Sequence, residues 1–295
     1  MVDAFKSTKI PRLRGGGEDV DRLSNLPEPI IHHIFSFLGT IDVVRASAVS
    51  RKWRCFWLSI PYLNFNIHNI WSNPQEKCKI FDGVRNAEVL KLNMLLNVVF
   101  AKPDCFFSPL YNLKSLKLIV GPFDQTIQST INLLNCSPNL EALAIYFDWL
   151  LNVVFAKPDC FFSPLYNLKS LKLIVGPFDQ TIQSTINLLN CSPNLEALAI
   201  YFDWFKDGDL WKIPDKGIPC LTHHLKTVEI LEFYGNENQL ELVRFILKYG
   251  QVLQKMSITW GYSGVKYPIK ISRQVKEFPR LSPTAALEFL EPFYE

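Results

Sequence analysis

The residue types that most often carry chemistry, histidine and cysteine, are few here and poorly spaced for it. The chain has 295 residues, of which five are histidines and seven are cysteines. A zinc site needs three or four such ligands at short, characteristic spacings, and neither a C-x-x-C pair nor an H-E-x-x-H motif is present. The histidines occur as His32-His33, His223-His224 and an isolated His68. We therefore expect no bound metal and no cofactor.

Motifs for nucleophilic catalysis or phosphate binding are also missing from the sequence. The run Gly15-Gly16-Gly17 follows no predicted strand, unlike a phosphate-binding loop, and no G-x-S-x-G elbow occurs. None of the cysteines has an identifiable partner that would activate its thiolate; they are Cys55, Cys78, Cys105, Cys136, Cys160, Cys191 and Cys220. We interpret them as buried reduced thiols, and we expect that the chain is not an enzyme.

Composition indicates a folded protein with a substantial core. The chain is 48% hydrophobic, and its formal net charge of +3 is slight, so a nucleic-acid partner is not implied. No stretch approaches the roughly 18 uncharged apolar residues that span a membrane, and the amino terminus lacks the apolar core of a signal peptide. We expect no membrane partner, a disordered leader over residues 1–20, and a location in the nucleus and/or cytoplasm.

The first elements with a clear pattern lie between Asp21 and Phe65. Helical spacing places seven apolar residues on one arc about 180° wide: Leu26, Ile30, Ile31, Ile34, Phe35, Phe37 and Leu38. Thr40-Ile41-Asp42 then indicates a break and an N-cap, so the segment predicts about three short helices. Because a unit this small buries too little surface to be stable alone, its spare apolar area should contact the rest of the chain, a partner, or both.

The strings from Leu26 to Leu38 and from Ala46 to Arg54 closely resemble the F-box of plant F-box proteins. The resemblance implies docking onto a Skp-type adaptor, and through it a cullin, while the rest of the chain captures a target protein for ubiquitination. Pro29 departs from the family, which usually has an acidic residue or leucine there, but proline in a first helical turn removes no intrahelical hydrogen bond. The residues expected to hold the adaptor are Leu26, Pro27, Ile30, Ile31, Ile34, Val49 and Trp53.

A 55-residue unit is repeated in tandem: residues 95–149 recur without one substitution as residues 150–204. Identity this complete indicates either a recent duplication or an error in the sequence record, and the sequence leaves both open. A protease that cuts before aspartate would release residues 148–158 across the junction, so mass spectrometry of that peptide distinguishes the two.

A shorter rhythm of the form L-x-x-L-x-L runs through the duplicated unit and beyond it. Its starts lie 26 to 30 residues apart, at Ala87, Leu113, Leu140, Leu168, Leu195, Leu225 and Leu253. This period is typical of leucine-rich repeats, in which one strand per repeat lines a concave surface and a helix or irregular segment returns. Seven strands are predicted, with a helical return over residues 126–134. A solenoid tolerates an insertion of two whole periods.

Residues 219–230, 241–247 and 252–256 resemble the FBD domain found at the end of many plant F-box proteins with leucine-rich repeats. They predict a strand, an amphipathic helix with Leu240, Val243, Ile246 and Leu247 inward, and a last strand. The predicted fold class is α/β, a small all-α three-helix F-box domain followed by a leucine-rich-repeat solenoid of about seven strands that ends in an FBD module. The predicted layout is F-box 21–66, linker 67–86, repeats 87–214 and FBD 215–295.

The side chains between the inward leucines are predicted to face the concave surface, where a target would bind. The candidates are Lys117, Ile119, Tyr146, Lys172, Ile174, Tyr201 and Glu229. Exposed tyrosine with neighbouring lysine is compatible with a protein-binding face, since amphipathic aromatic side chains supply contact area, and an ordinary solvated sheet surface fits equally well. The leading hypothesis is a non-catalytic substrate-recognition subunit of an SCF-type cullin ubiquitin ligase, and the alternative is an interaction scaffold or a non-functional truncated family member. The sequence indicates neither the target nor the pathway.

Overall fold

The computed structural model describes residues 25–46, 53, 60–65, 84–92, 109–120, 124–147, 163–175, 179–202 and 215–292. The helices in these ranges are α1 (Glu28–Ser36), α2 (Thr40–Ala46), α3 (Asp124–Asn135), α4 (Asp179–Asn190), α5 (Pro219–His223), α6 (Glu237–Tyr249) and α7 (Pro268–Lys276). The strands are β1 (Tyr62–Phe65), β2 (Val89–Leu92), β3 (Ser115–Val120), β4 (Ala142–Phe147), β5 (Ser170–Val175), β6 (Ala197–Phe202), β7 (Thr227–Phe233), β8 (Lys255–Trp260) and β9 (Ala286–Leu290).

The described strands form one sheet in which each strand pairs, in parallel, with the next strand along the chain. The order is β1 to β9 without a crossover. All seven predicted strands are present as β2 to β8, and the predicted helical return is α3, with its copy α4. The mixed α/β class is therefore confirmed, while the count of about seven strands was too low.

The two additional strands lie at the ends of the sheet. Strand β1 follows the same rhythm, because Ile60 and Leu63 are buried and Ile60 lies 27 residues before Ala87, but it falls in the segment assigned to the F-box. Strand β9 pairs Leu287 with Met256 of β8, although exposed Thr284 occupies the position where earlier repeats have a buried leucine. The sheet therefore extends one strand beyond the predicted last strand.

Buried and less buried side chains alternate in β2 to β7, which explains why the leucine pattern specifies these strands. In β3, Leu116 and Leu118 are buried while Ser115 and Lys117 are not, as the two-residue period of a strand requires. Register aligns Leu116 with Leu143 and Leu118 with Ile145 of β4, and these in turn align with the equivalent residues of β5. Burial of each aliphatic side chain contributes about 1.5–3 kcal/mol, so the stack is stabilised along its whole length.

A row of asparagine amides joins neighbouring repeats beside the strands; we call it the asparagine ladder. Each asparagine immediately precedes the first leucine of the pattern and donates from Nδ2 to a carbonyl oxygen one repeat earlier. The bonds run from Asn112 to Arg85 (3.4 Å), from Asn139 to Tyr111 (2.8 Å), from Asn167 to Pro138 (2.9 Å) and from Asn194 to Tyr166 (2.9 Å). The ladder thus provides hydrogen bonds to backbone carbonyls of the turns.

The amino-terminal helices are tied to the first strand. Pro29 lies in the first turn of α1, which confirms that the helix accommodates it. Thr40 is the first residue of α2 rather than part of a break, and its Oγ1 accepts a hydrogen bond from the backbone N–H of Asn64 in β1 at 2.8 Å. The predicted three-helix arrangement of the F-box stays a prediction, because residues 47–59 other than Trp53 lie outside the described residues.

The carboxyl-terminal end of β7 contains an irregular corner. Register shifts between Ile230 and Phe233, and Glu232 adopts a positive φ of 56°, a conformation that L residues rarely adopt. The Glu232 carboxylate accepts hydrogen bonds from the Tyr234 hydroxyl at 2.8 Å and the Tyr262 backbone N–H at 3.1 Å. These bonds hold the corner in place at the start of α6.

Candidate functional site

Helix α1 divides its apolar arc into two stripes. Ile31 and Phe35 are buried, and the Phe35 ring lies edge-on to Trp53 with centroids 5.3 Å apart. The other stripe is open to solvent, with exposed fractions of 47% for Ile30, 37% for Ile34, 76% for Phe37 and 37% for Leu38. We call these four residues the docking patch.

The residues predicted to hold the adaptor fall into three groups. Pro27, Ile30 and Ile34 are exposed, and Leu26 packs partly against the core. Ile31 and Trp53 are buried inside the chain, so their contribution is to fix the position of α1. Val49 lies outside the described residues.

The docking patch contains two residues, Phe37 and Leu38, that are absent from the set predicted to bind the adaptor. Both belong to the apolar arc, and the spacing of Ile30, Ile34 and Leu38 at every fourth residue was the available signal. The Phe37 ring is held edge-on against His33, with centroids 4.9 Å apart. A large aromatic side chain that is three-quarters exposed and held by a neighbour is typical of an interface anchor.

The second surface is the open face of the sheet, formed by the strand side chains that alternate with the buried leucine positions. In β8 the side chains on this face, Ser257 and Thr259, are buried as well. One row across it, which we call the lysine row, is Lys91, Lys117, Ala144, Lys172, Ala199, Glu229, Ser257 and Glu288 in β2 to β9. Lys91, Lys172 and Glu229 are exposed, and Lys117 is half-buried. Positive charge therefore occupies one half of the row and negative charge the other.

The next row contains the remaining predicted target-binding residues; we call it the tyrosine row. Register places Ile119, Tyr146, Ile174 and Tyr201 side by side in β3 to β6, and all four are half-buried. Lys117 Nζ lies 4.3 Å from the centre of the Tyr146 ring, a cation–π contact that joins the two rows. The seven predicted residues thus lie together on one face.

An ion-pair chain runs along the edge where the strands begin. Glu196 binds Lys226 at 2.6 Å and Lys169 at 2.9 Å. The hydrogen bonds from these two ammonium groups, Lys226 first, lower the pKa of Glu196 to about 2. A second pair joins Lys255 to Glu288 at 2.8 Å. By contrast, in the described part of the chain neither Lys91 nor Lys172 is paired with a carboxylate.

The described cysteines are poor nucleophiles. Burial raises the pKa of Cys220 to about 12 and also raises the pKa of Cys136 and Cys191, whereas a reactive thiol requires a lowered pKa. Among the residues with assigned positions, no group of three or more histidine, cysteine or carboxylate side chains could hold a metal ion. No helix in the same ranges has the length and apolar character needed to cross a membrane.

Comparison with known protein families finds two matching domain models, one in the amino-terminal part of the chain and one in the carboxyl-terminal part. The F-box domain model matches residues 23–64, and the FBD model matches residues 213–258. The chain carries an F-box domain and an FBD domain. The resemblance to plant F-box/FBD/LRR-repeat proteins is thereby confirmed. The docking patch lies within the F-box, and the corner at Glu232 lies within the FBD domain.

Relatives from Arabidopsis thaliana carry the same domain names. An FBD-associated F-box protein is 53% identical over 208 residues, covering 64% of this chain and 42% of the relative. An F-box/FBD/LRR-repeat protein is 27% identical over 241 residues, covering 79% and 50%, and an F-box/LRR-repeat protein is 28% identical over 210 residues, covering 63% and 61%. The chain thus spans about half the length of these curated relatives.

Proposed function

We propose that this protein is a substrate-recognition subunit of an SCF-type cullin ubiquitin ligase, in which the F-box binds a Skp-type adaptor and the repeat and FBD region binds a target protein. F-box proteins generally act as substrate adaptors in SCF ligases, and their F-box generally binds an adaptor of the Skp type. The observation that carries the proposal is the docking patch, an apolar surface within the matched F-box that is exposed among the described residues.

The exposure of the docking patch fits a partner interface better than a defect of packing. Ile30 and Ile34 are i and i+4 on α1, so their side chains lie on one stripe of the helix, and Phe37 and Leu38 follow directly after its carboxyl-terminal end. Ile31 and Phe35, one residue further along in each case, are buried. The helix therefore has an internal core contact and retains a separate apolar stripe, as an element with a second partner requires.

We further propose that β2 to β8 and their returns are leucine-rich repeats that form a solenoid. Three observations support this: the strands follow chain order in one parallel sheet, the leucine positions are buried, and the asparagine ladder links the four repeats of β3 to β6 each to the one before it. The open face of such a stack offers a continuous surface to a target.

The proposed role is non-catalytic. Such a receptor accelerates ubiquitin transfer by proximity, because it raises the effective concentration of target lysines near the charged ubiquitin carrier. The raised pKa values of the described thiols support this role, since a covalent ubiquitin carrier would need a reactive cysteine. The nucleus and/or cytoplasm is the proposed location.

Co-purification of the full chain with a Skp-type adaptor tests the F-box half of the proposal. We expect the wild type to bind, and the Ile30→Asp variant to bind at least about 100-fold more weakly, because it places a charge at the centre of an apolar contact. A Leu26→Ala, Pro27→Ala double variant should also lose the adaptor.

The matched control is Ile269→Asp, which alters an isoleucine that is 76% exposed on α7, away from the F-box. It should bind the adaptor as the wild type does. Full binding by Ile30→Asp would contradict the proposed dock, and a chain that folds but binds no adaptor would instead fit an interaction scaffold or a non-functional family member.

A further inference from the structure

The tandem duplication presents one set of open-face side chains twice. The first set is Lys117 and Ile119 on β3 with Tyr146 on β4, and the second is Lys172 and Ile174 on β5 with Tyr201 on β6. Strand register is preserved across the sets, because Lys117 pairs with Ala144, which in turn pairs with Lys172. The two sets are therefore related by a shift of two strands.

A shift of two strands has a definite length. Neighbouring strands lie about 4.8 Å apart, so the two lysines, and likewise the two tyrosines, are offset by roughly 9.6 Å. Seven residues of an α-helix rise about 10.5 Å and return close to the same helix face. A fully extended β-strand covers a similar distance over three residues, but the side chains of residues i and i+3 point to opposite sides of a strand. The spacing thus favours a helix with a seven-residue repeat over a β-strand.

The width and floor of the open face also fit a helix lying across the strands. The lysine and tyrosine rows are two residues apart along each strand, which is about 6.7 Å, and a helix with its side chains is about 10–12 Å wide. Within the lysine row, Ala144 and Ala199 separate the longer side chains. Ala144 leaves room between Lys117 and Lys172 for groups from a partner, and Ala199 does the same between Lys172 and Glu229.

The positive charges on the open face indicate which kind of partner would bind there. Lys91, Lys117 and Lys172 lie in one row on β2, β3 and β5, and no described carboxylate pairs with any of them. The tyrosine row beside them consists of apolar isoleucines and amphipathic tyrosines. A helix that met both rows would need carboxylates along one flank and apolar residues on the adjoining face.

From this geometry we infer that the duplicated strands bind an acidic amphipathic α-helix of the target, laid across the strands, whose carboxylates and apolar residues each repeat every seven positions. The inference rests on the proposed function, since it specifies the class of target for the open face. The duplication supplies a second, identical contact set in register with the helix repeat, so two heptads are bound where a single copy would bind one.

Fluorescence anisotropy on the full chain in complex with its adaptor tests this inference. The probe is a labelled helical peptide of about three heptads in which Glu and Leu each recur every seventh residue. One control peptide has the same composition with the Glu residues five apart, and a second is an extended proline-rich peptide with Glu at every third position. We expect the heptad peptide to bind at least about tenfold more tightly than either control.

Charge reversal locates the site. Lys117→Glu and Lys172→Glu should each weaken binding of the heptad peptide about tenfold, and the double variant should weaken it further, while Lys270→Glu on α7 should leave it unchanged. A chain without residues 150–204 retains one contact set and should also lose about tenfold. Lys172 is exposed, and Lys117 is half-buried against the Tyr146 ring, so circular dichroism and retained adaptor binding are used to verify that each variant is folded.

Two outcomes would overturn the inference: equal binding of the heptad and control peptides, or wild-type binding by the double lysine variant. Adaptor binding is scored in the same preparations. If the adaptor is retained while no peptide binds, the inference fails and the ligase-subunit proposal stands; if the adaptor is absent, the proposal itself fails.

Discussion

Helices α1 and α6 are both short and amphipathic, yet they differ in how much of their apolar surface the chain covers. In α6, every member of the predicted inward set is buried, together with Leu242 and Phe245. In α1, only Ile31 and Phe35 are buried, and the docking patch is open. The difference lies in the neighbours, because α6 contacts both α5 and α7 in addition to the sheet core. A hydrophobic pattern predicts that a surface will be covered, but only the fold shows what covers it.

The largest effect that tests this comparison comes from a matched pair of phenylalanine truncations. Phe245 on α6 is 4% exposed, and Phe37 beside α1 is 76% exposed. Phe245→Ala should lower the free energy of unfolding by about 3–5 kcal/mol, since it leaves a cavity. Phe37→Ala should change it by no more than about 0.5 kcal/mol. Urea unfolding followed by circular dichroism measures both.

Adaptor affinity should reverse the order of the two variants. Phe37→Ala should weaken binding by about 2 kcal/mol or more, as removal of an interface anchor does, while folded Phe245→Ala should bind normally. Equal destabilisation by the two substitutions would show that the docking patch is covered by the chain itself, and the distinction between the two helices would be lost.

The repeat region could be predicted from the sequence because its signal is local. Each strand from β2 to β8 carries its own pair of buried apolar residues, leucines in β2, β3 and β5 and other apolar residues at some positions of the remaining strands, so the prediction of these strands did not depend on distant contacts. The signal for β9 was weaker, since Thr284 replaces the first leucine. The asparagine ladder had a sequence trace, an asparagine before the leucine in four repeats, but its function depends on a carbonyl one repeat away.

Other features depend on contacts between distant residues and leave no local pattern. The bond from Asn64 to Thr40 joins residues 24 positions apart, and the Glu232 carboxylate meets Tyr262 across 30 positions. The division of the α1 arc into covered and open stripes is of the same kind. Periodicity placed Ile30, Ile31, Ile34 and Phe35 on one helix, as observed, whereas Leu26, Phe37 and Leu38 lie outside α1; the contact of the buried side with Trp53 left no trace in the local pattern.

The duplicated copies extend the comparison, because they are identical in sequence and each buries the serine that follows its return helix. Ser137 Oγ donates to the Leu133 carbonyl at 2.7 Å, and Ser192 Oγ donates to the Leu188 carbonyl at 2.8 Å; both serines are buried. Ser137→Ala and Ser192→Ala should each cost about 1 kcal/mol, and the double variant should cost the sum. Urea unfolding of all three variants checks this, and a difference between the copies above about 0.5 kcal/mol would contradict equal environments.

The smallest effect is expected from the exposed ion pairs. The pKa of Glu196 is lowered from 4.5 to about 2 by Lys226 and Lys169, so its stabilising contribution is present above about pH 4.5 and is lost as the pH falls toward 2. Glu196→Gln should therefore be slightly less stable than the wild type at pH 7, and the difference should vanish near pH 2.

Glu141 is the matched control in the first copy. Its backbone lies between those of Lys114 and Lys169, as Glu196 lies between Lys169 and Lys226, but the Lys169 ammonium binds Glu196 instead. The effect of the substitution on the free energy of unfolding should therefore vary less with pH for Glu141→Gln than for Glu196→Gln. Added salt should reduce the effect of Glu196→Gln, because exposed charges are screened. Equal pH dependence of the two variants would contradict the prediction that Glu196 is more strongly stabilised by its lysine neighbours than Glu141.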